Sequence, residues 1–155
     1  MDFIENRTRS IGAMALDGLY ERTKAISANT ANALTPGYQR KTVSFESSLR
    51  NIINRENEKE EIKLQNAREY EKNPERVLYG KTPAELAFLA TETNADYTID
   101  VETDIADAID ENGNNVNIEE EMMDEAKTGI QYQVIASLMS KSYAQLAGVI
   151  RGDNQ

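Results

Sequence analysis

Neither cysteine nor histidine occurs anywhere in the 155 residues. Without cysteine there is no disulfide, no thiolate nucleophile and no thiolate-ligated metal, and either redox compartment is acceptable. Without histidine the commonest metal ligand and the commonest general base are both gone. The dense valine, leucine and isoleucine content of a large core is missing too. No run of about 20 apolar residues is present, so no segment reads as a membrane-spanning helix. Positive charge is short: 17 basic residues face 27 acidic ones, a formal net charge of -10. That balance argues against a nucleic-acid partner, whose footprint would be basic, and against docking on an anionic membrane. The start, Met1 to Arg7, lacks the basic-then-apolar layout of a cleaved signal peptide. The expectation is a chain that stays in the cytoplasm or leaves it by a route needing no cleaved leader. Its length implies one domain, or one helical module with a small insert.

What the chain does have is helical periodicity at both ends. From Ser10 to Leu34 the apolar residues fall at helix spacing, with Leu19, Ile26 and Ala33 seven apart. Many of the others are alanines, which permit close helix approach but bury little area. Pro36 and Gly37 predict the end of this helix and a type II turn over Thr35-Pro36-Gly37-Tyr38. Asn29 and Asn32 are unusual in such a helix. They predict hydrogen bonds within the turn region or across to another chain. The second helix runs from Ile118 to about Arg151. Asn117 is its predicted N-cap, Glu120 would close a capping box, and Glu119 to Glu121 suit the helix dipole. Met122, Gly129, Ala136, Tyr143 and Ile150 lie seven apart, and Glu125, Tyr132, Met139 and Leu146 form the companion series. Together they predict a coiled-coil-like seam for the first helix and for neighbouring copies.

The middle is different. Gln39 to Phe45 reads as a short strand or extended arm, and Ser44 to Ile53 as the start of another helix. Residues 54–76 carry 13 charged side chains of nearly balanced sign, a solvated helix or mobile loop, and Asn73-Pro74 marks a turn. Residues 81–117 hold nine acids and one lysine. A short helix is expected at 82–89, a strand at Thr98 to Glu102 and a polar turn at Asp110 to Asn115. The predicted fold class is mainly α: long terminal helices paired in a coiled-coil-like layer, with a small mixed or irregular insert. The predicted division is residues 1–35 plus 116–152 as the helical core, and 36–115 as turn and insert.

The chemical candidates are weak. The acids and asparagines from Asp104 to Asn115 miss the glycine and glutamate positions of a calcium loop. Glu121 and Glu125 share a helix face, but capping accounts for them better than catalysis. Ser140, Lys141 and Ser142 lack a base or an oxyanion turn. Gly12 and Gly18 follow no strand and form no phosphate loop. The chain is expected to be no enzyme and to take no cofactor. Arg40 and Lys41 beside Tyr38 are the one basic-aromatic spot near a turn. With Arg7, Arg9, Arg22 and Lys24 they leave residues 1–50 at +2 against the acidic middle, an asymmetry that head-to-tail or lateral packing of like subunits and solvated surface charge explain about equally.

Asn29-Thr30-Ala31-Asn32-Ala33-Leu34-Thr35-Pro36-Gly37-Tyr38 resembles the N-terminal motif of bacterial flagellar rod and hook proteins, and Gln39 to Leu49 is similar to the proximal rod type. Gly113 to Met122, Ile130 to Gln133 and Ala136 to Ile150 resemble the segment entering and forming that family's last helix. The resemblance implies a non-catalytic subunit exported by the flagellar type III apparatus and polymerised into the periplasmic rod. It also implies partners: copies of itself, other rod proteins of the FlgC and FlgF types, and the rod-base adaptor FliE. The alternative is an export chaperone or adaptor that binds partners without polymerising, which the acidic balance also suits.

Overall fold

A computed structural model describes residues 2–72, 88–90, 96–104 and 112–151. Side-chain surroundings are described for all of these but 2–6, 69–71, 149 and 150. The order of elements is α1 (Asp2–Ala31), β1 (Lys41–Ser44), α2 (Glu46–Lys72), β2 (Asp100–Thr103) and α3 (Ile118–Arg151). The expected class holds: mainly helical, with long terminal helices and a small hairpin insert. The chain divides into two compact units, residues 1–46 with 98–155, and residues 47–97.

In the first unit α1 packs along α3 and against β1. The inward side of α1 carries Met14, Ala15, Leu19, Ala25, Ile26 and Asn29, all buried, and Ala33 just past its end is buried too. Leu19, Ile26 and Ala33 thus face inward, at the spacing the sequence predicts. Two glycines bring neighbours close. A Cβ on Gly12 would collide with the thioether of Met139, and one on Gly18 with the Phe45 ring. α1 then tightens as it ends: Asn32 N–H donates to the carbonyls of both Ala28 and Asn29, and Thr35 N–H to Asn32 at 2.9 Å. The turn follows as expected. Tyr38 N–H donates to the Thr35 carbonyl at 3.2 Å, and Gly37 sits at φ 71°, the left-handed geometry of the third position in a type II turn.

β1 and β2 are antiparallel, with Lys41 opposite Thr103, Thr42 opposite Glu102, Val43 opposite Val101 and Ser44 opposite Asp100. The ladder extends to Arg40, whose carbonyl accepts from Asp104 N–H at 2.8 Å. Val43 and Phe45 are buried, whereas every residue of β2 is exposed. The strand expected from Thr98 to Glu102 is therefore present, shifted by one or two residues.

In the second unit α2 buries Ile52. Residues 54–72 are helical, but not uniformly solvated. Glu56 and Lys59 are buried as an ion pair at 2.8 Å, with the Phe88 ring centroid 6.0 Å from the ammonium. Arg55 pairs with Asp96, whose carbonyl also accepts from the Ser48 hydroxyl. Residues 88–90 are helical. The rest of the expected 82–89 helix, the Asn73-Pro74 turn and Asp110 and Glu111 lie outside the described residues.

Gly37 gives a first testable outcome. A β-branched side chain at positive φ is strained by about 1–2 kcal/mol, and Gly37 N–H also donates to the Asn112 carbonyl at 3.0 Å. Gly37→Val is expected to lower the unfolding free energy from urea titration by that amount, while Pro36→Ala, at an exposed position, changes it by less than half as much.

Candidate assembly site

The two segments that carry the family resemblance, around 29–40 and 112–121, fold against each other. Their junction is made mostly of asparagine side chains. Asn114 Nδ2 donates to the carbonyls of Asn32 and Thr35, both at 2.9 Å, and closes the C-terminal end of α1. Its Oδ1 accepts from Val116 N–H. Asn115 accepts from Arg40 N–H at 2.6 Å and donates to the Asp104 carbonyl at 2.7 Å. Gln39 donates to the Gly113 carbonyl. Asn117 caps α3 by accepting from Glu119 N–H at 3.0 Å; no bond from the Glu120 side chain closes the expected box among the described residues.

Asn29 is the centre of a second set. Its amide donates to the Lys41 carbonyl at 2.8 Å and to Glu121 Oε2 at 3.1 Å. Its oxygen accepts from Lys41 N–H at 2.8 Å and from the Tyr38 hydroxyl at 3.2 Å. Both donors and both acceptor sites of the amide are filled, inside a residue 1% exposed. Glu121, fully buried at 0%, takes the Arg40 Nε on its other oxygen at 2.5 Å, and Arg40 reaches Asp124 at 2.9 Å. Burial alone would lower the Arg40 pKa, but the bond and charge of Glu121 with Asp124 and Glu120 outweigh it and raise the value. The Tyr38 phenol is pushed up by desolvation and then by Glu121, which keeps it a donor.

Glu121 also fixes the rotation of α3. Glu121 and Thr128 are buried, and Ile135, Met139, Ser142 and Leu146 are half-buried along the same side. Met122 is 63% exposed, Tyr132 and Tyr143 are exposed, and a Cβ on Gly129 would meet nothing within 4 Å. The stripe against α1 is thus turned by about one residue, or 100°, from the expected seam in its first half. A buried carboxylate needs its partners, and Arg40 and Asn29 supply them only with Glu121 pointing inward. Met139, Ala136 and Leu146 remain at or near the α1 contact, and the Ile150 side chain lies outside the described residues. Of the turn residues, Asn32 and Tyr38 are half-buried, while Thr35, Pro36 and Gly37 are exposed.

The opposite side of α3 is also apolar. Met123, Ile130, Val134 and Leu138 are 54–65% exposed, and a shallow groove runs past Ile130, Val134 and Leu138 to Lys141. Among the described residues no group of histidine, cysteine, aspartate or glutamate is placed to hold a metal ion. No described helix is long and apolar enough to cross a membrane.

This architecture, terminal helices joined through an asparagine-rich turn, is consistent with a rod-protein-like helical fold. No family model matches the chain. It is similar to the flagellar basal body rod protein FlgB of Escherichia coli (strain K12), 26% identical over 140 residues and covering 90% of each chain. The FlgB protein of Bacillus subtilis (strain 168) is 27% identical over 131 residues, 84% of this chain and 83% of its own. These similarities indicate distant homology to FlgB-type rod proteins.

Sequence inspection missed the anchoring role of Glu121, Arg40, Asn114 and Asn115, and the close contacts at Gly12 and Gly18. For the glycines a signal existed: two of them inside one long helix need a packing reason.

Proposed function

We propose that this chain is a structural subunit of the flagellar proximal rod, one that polymerises through its terminal helices and performs no catalysis. The carrying observation is the second apolar face of α3. A helix apolar on two sides is built to be covered on two sides, and α1 of the same chain covers only one. Met123, Ile130, Val134 and Leu138 then meet helices of neighbouring subunits. Met122, Gly129 and Tyr132, exposed on the other flank of the α1 contact, add a second strip for neighbours, while Tyr143 lies under the Arg9 guanidinium of α1. The distant likeness to FlgB-type rod proteins supports the same reading.

In that role residues 1–35 and 116–152 form the inner, coiled-coil-like layer around the export channel, and 36–115 the outer insert. The subunit crosses by the flagellar type III export apparatus, sits in the periplasmic basal body and transmits torque. Its neighbours are copies of itself, rod proteins of the FlgC and FlgF types, and FliE. No separate observation favours a non-polymerising chaperone.

Val134→Asp with Leu138→Asp tests the proposal. The pair lies on the face away from α1, so purified protein should keep its far-UV circular dichroism. Cells carrying it should secrete the subunit yet build no rod and lose motility. A working rod from the doubly substituted subunit would overturn the assignment of this face to assembly.

A further inference from the structure

A cavity of about 300 Å³ opens between α1, β1 and α3 in the first unit. Two of the cations on its wall are engaged: Arg22 with Glu46, and Arg40 with Glu121 and Asp124. Two others, Lys41 and Lys127, are exposed and form no ion pair among the described residues. Thr128, 2% exposed and without a hydrogen bond on its hydroxyl among the described residues, lines the same wall. The wall thus carries four cations against three carboxylates, and its small positive excess lies at Lys41 and Lys127, in a chain of net charge -10.

The matching charge is on the other side of the hairpin. Lys41 and Val43 are cross-strand partners of Thr103 and Val101, so these four share one face of the sheet. Asp100 and Glu102 alternate with them and lie on the opposite face. Both carboxylates are exposed and have no ion pair among the described residues. One small sheet thus has its basic residue on the cavity side and two free acids on the other.

We propose that Asp100 and Glu102 of one copy dock at the Lys41–Lys127 mouth of a second copy. This contact rests on the assembly reading above; Lys127 lies one turn before Ile130 on the same side of α3, so the contact adjoins the α3 groove but uses none of the residues that line it. It joins unlike patches, so it is heterologous: each copy keeps one free acidic face and one free basic mouth, and the contact propagates. Like charges would meet in the reversed orientation, which sets the polarity of the stack.

Charge exchange in the full-length chain tests it. One variant carries Lys41→Glu and Lys127→Glu; the other carries Asp100→Lys and Glu102→Lys. Each alone presents like charges at the contact. Its self-association by sedimentation velocity in low salt is expected to fall at least tenfold from that of the unsubstituted chain. An equimolar mixture has complementary faces at every junction and should recover the original association, falling again as salt is raised. Variants that associate as well as the unsubstituted chain, a mixture no better than its parts, or no association in any sample would each overturn the contact. Failure here with rods still abolished by the Val134 and Leu138 substitutions would remove this contact alone and leave the α3 face as the assembly surface.

Discussion

Glu121→Ala should cost about 3–5 kcal/mol, the usual consequence of removing one member of a buried ion pair. The carboxylate is fully buried and serves two partners, Arg40 Nε and Asn29 Nδ2. Its loss leaves a guanidinium 19% exposed with only Asp124 to answer it, and an amide N–H with no acceptor. A domain of this size is stable by about 5–15 kcal/mol, so the change removes a large part of the total. Urea unfolding followed by circular dichroism would report a much lower midpoint, or a chain already short of helix without denaturant. Glu121→Gln keeps an acceptor for Asn29 but loses the charge, and should fall between the two. The Arg40→Ala and Glu121→Ala cycle would then return a coupling of about 2 kcal/mol or more, since the residues touch. A loss below about 1 kcal/mol for Glu121→Ala would mean that the pair behaves as a surface contact and does not set the rotation of α3.

That rotation is where the sequence stopped being legible. The existence of α1 and α3 could be read because each is long, periodic and free of interior proline. The turn could be read because Pro36 and Gly37 stand in the order a type II turn requires, and Gly37 has the left-handed φ that order implies. On α3, however, two adjacent heptad series compete. Met122, Gly129, Ala136 and Tyr143 are the more apolar set; Glu121, Thr128, Ile135 and Ser142 are the set turned toward α1. Apolar periodicity favours the first, and bonding to Asn29 and Arg40 selects the second. Such bonding has no period, because one partner, Asn29, lies on α1 92 residues away and the other, Arg40, just before β1, 81 residues away. The same holds for Asn114 and Asn115. In sequence they resemble ion ligands or turn formers; in the fold their amides bond backbone groups of the Thr35 turn and the start of β1. The charge-rich stretch after Arg55 was readable only as helix or loop. Glu56 and Lys59 differ in no local way from their solvated neighbours, and only tertiary packing buries them.

Gly18→Ala should destabilise the chain by about 1–3 kcal/mol, the range for overpacking a filled site, although alanine is the better helix former. The added Cβ would lie within 2.7 Å of three ring atoms of Phe45. The ring has little room to yield: Phe45 is buried, and the Arg22 guanidinium lies over it at 4.8 Å from the centroid. Arg22 is itself held by the Val43 carbonyl and by Glu46, so a ring displaced by the methyl must disturb the β1 anchor as well. The clash can be separated from helix propensity by emptying the site. Phe45→Ala alone should cost about 3–5 kcal/mol as a large-to-small core change. In that background Gly18→Ala meets open space, and its effect should reverse to a gain of up to about 1 kcal/mol, the propensity difference between the two residues. Thermal or urea unfolding of the four proteins reads both terms. A reversal of sign means that Gly18 is required for the approach of Phe45 to α1. An equal loss in both backgrounds would instead trace the cost to the α1 backbone, and the close approach of the ring would have no part in it.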